Sequence, residues 1–308
     1  MSLADAIREV EGATVEPDVH RTIDADYYVL TVTSRGARGI VGAVGTFLAE
    51  HNCDITELAQ YDDEEANHYY SRVVFRACEN APETLAILRK DFPRTAARFG
   101  MQWHIQARAY RPRVLVMVSK ADHCLEDLLY RVRTGDLGMD ISAVVSNHET
   151  LRAQVEHHGI PYHVLPVTPE RKPAQEAELL GLVEETRSEL VILARYMQVL
   201  SDDLCRKLAG RAINIHHSLL PSFKGAKPYR QAYDRGVKFI GATAHYVTSD
   251  LDEGPIIEQA IERVDHQFRA EDLAAAGRDL ESLALAKAVR LHIERRVFLS
   301  GTRTIVFR

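Results

Sequence analysis

The densest run of polar residues in an apolar setting is Ala212-Ile-Asn-Ile-His-His-Ser-Leu-Leu-Pro-Ser-Phe-Lys-Gly225. Asn214 and His216 are two apart at a strand's end, so their side chains leave on the same face. His217 and Ser218 fall where the strand gives way to a loop. A second polar loop running into an apolar strand, Asp250-Leu-Asp-Glu-Gly-Pro-Ile-Ile-Glu258, begins thirty-four residues after His216. An imidazole moves protons, a carboxylate fixes its tautomer and raises its basicity, and an amide donates a hydrogen bond to a developing oxyanion. Brought together, the three suit attack on a carbonyl carbon without a metal or a covalent intermediate. Taken singly, each could be a turn former or a satisfied buried polar group. Spacing alone does not choose Asp252 over Asp250 or Glu253.

The elements that must position these residues can be read from periodicity. Val114–Ser119 is a continuous apolar run, as expected of a parallel strand buried on both faces. Similar runs occur at Ile141–Ser146, Tyr162–Leu165, Leu190–Leu193 and Ala212–Ile215, separated by helical stretches at Cys124–Arg133, Thr150–His158, Ala174–Arg187 and Ser201–Leu208. Such alternation predicts a Rossmann-like, doubly wound, mostly parallel sheet, with ligands beyond the carboxyl ends of its strands. Two more strands, Ala242–Val247 and Pro255–Val264, a helix over Asp279–Arg296 and a terminal strand Arg303–Phe307 complete this part. Ahead of it the texture differs. Strands at Tyr27–Thr33, Asp54–Tyr61, Tyr69–Ala77 and Met101–Ala107 alternate with a helix after Gly39 and another capped by Asn80 with Pro82 in its first turn. That βαββαβ order predicts a ferredoxin-like unit. The chain is therefore divided into an arm over 1–25, an N-terminal domain over 26–108 and a catalytic domain over 109–308, with the domain boundary at the basic, Pro-containing junction Arg108–Arg113.

Composition removes several function classes. Thirty-eight Lys+Arg against 44 Asp+Glu leave a formal charge of −6 with no basic block, which makes nucleic acid a poor partner. No stretch approaches the roughly 18 unbroken apolar residues of a membrane span. The start, MSLADAIREVEGATVEPD, lacks a basic region followed by an apolar block, and the four cysteines are scattered with no CxxC pair. A cytoplasmic protein with reduced thiols is the expectation.

The run NIHHSLLPSFKG, followed by PYRQAYDRGVKFIGATAHYVTSDLDEGPIIEQ, resembles the folate-dependent formyltransferase family in order and spacing. The resemblance implies a catalytic trio of Asn214, His216 and Asp252, with His245 of the Gly-x-Thr-x-His segment close by. It implies 10-formyltetrahydrofolate as formyl donor and substrate, with no further cofactor and no metal. The pterin would be held by Arg195–Leu200, through Met197, Gln198, Val199 and Leu200, and by the loop of Thr248, Asp250 and Gly254.

Three departures separate the branches of that family. The segment after the first buried strand, Ser119-Lys-Ala-Asp-His-Cys, has no glycine to cradle a phosphate, and Asp122 and Glu126 oppose one. His217 follows the first catalytic His where transferases carry Pro or Ala. The added N-terminal unit is similar to an ACT domain. All three resemble the formyltetrahydrofolate deformylases, implying hydrolysis to formate and tetrahydrofolate, with His217 and His245 at the substrate. The turn at Gly36-Ala-Arg-Gly39 keeps its helix-opening glycine but lacks the usual Asp-Arg, so an amino-acid effector there competes with a role in homo-oligomer formation, as dimer or tetramer. Cys124 reads as a packed residue rather than a nucleophile. Lys224, Gly225 and Lys227 are candidates to meet the glutamate tail, or are solvated loop residues. His157-His158 ends a helix, where the dipole accounts for it. The rival readings are formyl transfer to a small amine and a non-catalytic folate or amino-acid sensor.

Overall fold

The computed structural model describes residues 26–78, 81–221 and 228–308. The expected arm over 1–25, the Asn80 cap and the Lys224, Gly225 and Lys227 loop lie outside the described residues. The chain divides into two compact units, Met1–Ala109 and Tyr110–Arg308.

In the first unit, β1 (Tyr27–Arg35), α1 (Ile40–Glu50), β2 (Cys53–Asp63), β3 (His68–Ala77), α2 (Ala81–Phe99) and β4 (Gln102–Ala107) follow in the expected βαββαβ order. The four strands form an antiparallel sheet ordered β2-β3-β1-β4. Tyr28, Leu30 and Val32 alternate along β1 into a core shared with Val44, Phe47, Phe75 and Phe92. Gly39 stands at φ +91° just ahead of α1, a backbone conformation that disfavours any side chain.

The second unit carries the sheet that matters for function. It comprises β5 (Arg113–Val118), α3 (His123–Arg133), β6 (Asp140–Ser146), α4 (Arg152–His157), β7 (Tyr162–Val164), α5 (Lys172–Glu185), β8 (Leu190–Leu193), α6 (Asp202–Lys207) and β9 (Ala212–His216). After these come α7 (Pro228–Arg235), β10 (Phe239–Tyr246), β11 (Ile256–Arg263), α8 (Ala270–Ile293), β12 (Val297–Ser300) and β13 (Arg303–Val306). Seven strands are ordered β11-β10-β9-β8-β5-β6-β7. The pairings among β5 to β9 are parallel, while β10 and β11 join antiparallel at one edge. The apolar runs are continuous because both faces are covered. Along β5, Val114, Val116 and Val118 enter one core layer, whereas Leu115 and Met117 enter the other. The connections reverse direction between β5 and β8, and the crevice of such a sheet opens there. Across it the Met197 amide donates to Ser119 Oγ at 3.0 Å.

Several elements differ from the sequence expectation. Helix α8 begins at Ala270, nine residues before the expected Asp279, because the Arg269 amide donates to Asp272 (2.9 Å) and starts the helix there. Its first turns, Ala-Glu-Asp-Leu-Ala-Ala-Ala-Gly, carry too little apolar contrast to show a helical period. The short helix α7 was not anticipated. The terminal strand is one arm of a hairpin with β12, which periodicity also passed over. No described helix is long and apolar enough to cross a membrane.

Candidate functional site

Cross-strand register explains why Asn214 and His245 meet. The two residues stand directly opposite on β9 and β10, as do His216 and Thr243. Asn214 Nδ2 and His245 Nε2 are 3.2 Å apart, and His245 Nδ1 donates to the Tyr246 carbonyl at 2.9 Å. That second bond puts the proton of a neutral His245 on Nδ1. Its Nε2 therefore accepts from Asn214, and the second amide hydrogen of Asn214 stays available. On its other side, the register of β10 against β11 slips between Ala244 and His245, a local irregularity of the kind that re-aims a side chain beside a site.

The Gly-x-Thr-x-His spacing of β10 acquires a physical meaning. A Cβ on Gly241 would lie 2.5 Å from both Leu219 Cδ2 and the Ala260 carbonyl oxygen, so glycine lets the loop after β9 lie against the strand. Two residues on, fully buried Thr243 donates to the Ser218 carbonyl at 2.8 Å and accepts from the Leu220 amide at 3.1 Å. Thr243 thus ties down the chain immediately after His216 and His217. Two further on stands His245.

Asp252 reaches the trio from the loop between β10 and β11. Its backbone is left-handed, φ +57°, a conformation Asp tolerates better than most residues. Its Oδ2 lies 3.2 Å from His216 Nδ1 and its Oδ1 lies 3.8 Å from His245 Nε2. Burial by itself would raise the Asp252 pKa. The interaction with His216, and after it the approach of His245, outweighs it and holds the carboxyl well below the usual carboxylate range. The loop closes onto β10 at Gly254, where a Cβ would fall 1.7 Å from the Tyr246 carbonyl oxygen. With Nδ1 turned to the carboxylate, His216 points Nε2 the other way. That atom is buried and has no hydrogen-bond partner among the described residues.

His216 belongs to the wall of a cleft of about 220 Å³. Asn214, His216, His217, His245, Asp252, Met197, Gln198, Val199, Leu200, Thr248 and Asp250 all line it, so the structure brings together these residues singled out from sequence. Gly254 does not line it and acts from behind, through the packing just described. Asp250, the rival carboxylate, forms part of the rim, and its carbonyl accepts from Thr248 Oγ1 at 3.0 Å. Met197, Val199 and Leu251 are 58%, 55% and 61% exposed, an apolar rim suited to a flat ring. The walls also include Leu193, Ile215, Val247 and Cys205, which carried no chemical signal in the sequence. His217 stacks edge-on against His216, with centroids 5.0 Å apart. Burial first, then the charges of Arg195 and His216, pull its pKa down to about 4, so it is neutral near pH 7.

Sequence reasoning missed one cluster at the site's margin. Glu281, 1% exposed, lies on the apolar stripe of α8, where a carboxylate needs partners. It accepts from His123 Nε2 at 2.7 Å and from Tyr229 Oη at 2.6 Å, and Arg195 Nε is 3.3 Å away. Its position in the apolar repeat of Leu280, Ala284 and Leu285 was the signal available in the sequence. Gly277 leaves room for the Tyr229 ring, since a Cβ there would approach Tyr229 Cζ to 2.1 Å. His123, Cys124 and Glu281 place potential metal-ligating atoms within 4.8 Å of one another. The carboxylate is already engaged, the Arg195 guanidinium opposes a cation, and burial with the Glu281 charge pushes the Cys124 thiol up. Cys124 is fully buried.

A mostly parallel sheet with an amide, an imidazole and a carboxylate converging where β9, β10 and the loop after β10 meet is the arrangement of a formyl transferase, and the model of that family, described as "Formyl transferase", matches residues 112–289. The formyltetrahydrofolate deformylase of Corynebacterium sp. (strain P-1) is 54% identical over 91% of this chain and 98% of its own length. A crystal structure of the formyltetrahydrofolate deformylase from Burkholderia mallei superimposes with a TM-score of 0.88 at 53% identity, covering 92% of this chain and 100% of that one. The glycinamide ribonucleotide transformylase 1 of Symbiobacterium toebii is more distant, with a TM-score of 0.61 at 30% identity over 67% of this chain and 97% of that one. The chain belongs to the formyltetrahydrofolate deformylase family.

Proposed function

We propose that this chain hydrolyses 10-formyltetrahydrofolate to formate and tetrahydrofolate, with Asn214, His216 and Asp252 at the reacting carbon. The observation that carries the reading is the ring of His216, a residue of the cleft wall whose buried Nε2 has no hydrogen-bond partner among the described residues while Asp252 faces Nδ1. Because Asp252 fixes the tautomer, the Nε2 lone pair is free to take a proton from water as its oxygen attacks the formyl carbon. Charge then appears on imidazole and oxyanion together. Ionised Asp252 stabilises the first, while the uncommitted amide hydrogen of Asn214 and the newly protonated His216 stabilise the second. As the tetrahedral intermediate collapses, His216 returns its proton to N10 and the C–N10 bond breaks. Neutral His217 adds no second positive charge beside His216. The apolar rim of Met197, Val199 and Leu251 receives the pterin, and this chemistry calls on no metal or further cofactor.

The first unit fits a sensing or association module of the ACT type. Its edge strand β2 leaves Ile55, Leu58 and Tyr61 exposed, a surface suited to a second copy of the chain. One assay tests both parts: the pure protein is incubated with 10-formyltetrahydrofolate alone, and formate is measured with and without glycine and methionine. Formate and tetrahydrofolate should appear in equal amounts with no amine acceptor. Retention of the formyl group until an amine is supplied would turn the reading into the transferase one. Identical rates with either amino acid would leave the first unit with association only.

A further inference from the structure

We infer that Arg195, held by the Glu281 cluster, is a specificity-determining plug that admits water to the formyl carbon and refuses an amine carrying a substituent. This rests on the hydrolytic reading above. Arg195 is both a wall residue of the catalytic cleft and the ion-pair partner of Glu281. Its backbone has φ +66°, the left-handed region that favours glycine and is strained for a long side chain.

The side chain extends from the cleft wall into a closed group of polar partners. Glu281 draws in His123 from the start of α3, Tyr229 from α7 and Arg195 from the segment after β8, all on one carboxylate. The Tyr229 ring in turn meets His217 edge-on, with centroids 6.3 Å apart, and His217 abuts His216. The network therefore runs unbroken from the α8 carboxylate to the catalytic imidazole. His123 Nε2 and the Tyr229 hydroxyl are both engaged with the Glu281 carboxylate, and the Arg195 guanidinium faces the same carboxylate. Cys124 and Leu125, in the first turn of α3, are fully buried. A water needs only its own small volume and the Nε2 lone pair. A substituted amine must displace the guanidinium, leaving Glu281 buried with one charge fewer around it, which is strongly unfavourable.

In the balance of the competing step, the amine nitrogen forms the bond to the formyl carbon that the water oxygen otherwise forms. The amine gives one proton to His216, and the C–N10 bond breaks as that proton passes to N10. Both reactions use the same trio, so their ratio reports access and not catalytic power.

The test compares the wild type with Arg195→Gly, which suits the backbone conformation, and with His123→Ala, which opens the cluster from α3. Each is incubated with 10-formyltetrahydrofolate and methoxyamine, uncharged at neutral pH, and formate is measured against N-formyl-methoxyamine. The wild type should give formate almost alone, and the ratio of transfer to hydrolysis should rise roughly tenfold or more in Arg195→Gly, less in His123→Ala. An unchanged ratio in both variants, with hydrolysis continuing, overturns the plug. Loss of all turnover in both, or failure of both to fold, overturns it too, since the cluster would then be needed for positioning or stability. A wild type that releases no formate at all refutes the hydrolytic reading instead.

Discussion

Asp252→Asn isolates what the carboxylate charge contributes at the moment of reaction. The substitution keeps shape and one acceptor oxygen, and asparagine accepts the left-handed backbone at 252 readily, so the loop should keep its course. The loss is then electrostatic. A unit charge pair at the 3.2 Å separation of Asp252 Oδ2 and His216 Nδ1 is worth about 5 kcal/mol at an effective dielectric constant of about 20. The neutral amide retains part of that through its dipole, leaving a loss of about 3–5 kcal/mol in the state where His216 is positive. At about 1.4 kcal/mol per decade, kcat should fall by about 10²–10⁴. Steady-state formate release from 10-formyltetrahydrofolate measures kcat. Calorimetric titration with a non-reactive folate reads ground-state binding, which should change less than about threefold because the charge is needed only as the imidazolium forms. A kcat within about fivefold of the parent, with binding intact, would mean that His216 gains no proton in the rate-limiting step.

Asn214→Ala removes the proposed oxyanion donor and should lower kcat by about 10²–10³ with folate affinity largely kept; hydrolysis at the parental rate would show the trio misassigned. Gly254→Ala drives a Cβ to 1.7 Å from the Tyr246 carbonyl oxygen, so the loop must move. Activity should drop with Asp252 displaced and Tm should fall, by about 1–3 kcal/mol in unfolding free energy by denaturant titration. Thr243→Val replaces the hydroxyl that ties Ser218 and Leu220 to β10, and it should destabilise by about 1–3 kcal/mol while lowering kcat through the loosened His216. His217 and partly buried His292 have pKa values pulled from 6.5 to about 4, by desolvation first and then by neighbouring charge, Arg195 and His216 for one and Arg295 for the other. Between those limits the unfolded chain binds more protons than the folded one, so stability should decline as pH falls from 6.5 to 4. A Tm that stays level across that window would contradict the neutral, buried state of both rings.

The elements that carry the fold were legible wherever burial on both faces wrote an uninterrupted apolar run. That held for Val114–Ser119 and Leu190–Leu193, whose alternate side chains feed two core layers. It failed where the information is not periodic. The start of α8 depends on an Asp272 cap and on small residues that make room for Tyr229, and neither leaves an apolar stripe. The two-residue spacing of Asn214 and His216 placed both on one face of a strand, and the order of Asn, His and Asp named the chemistry. From spacing alone Asp252, Asp250 and Glu253 stood equal. Only the turn of the loop onto β10 at Gly254, with Asp252 in a left-handed conformation, delivers one of the three carboxylates to the imidazole. The same limit hid Glu281, more than sixty residues downstream of His216. Local sequence fixes the type and periodicity of side chains, because these depend on neighbours along the chain. Which distant groups share a buried charge is decided by strand register and helix packing, which exist only once the sheet has closed.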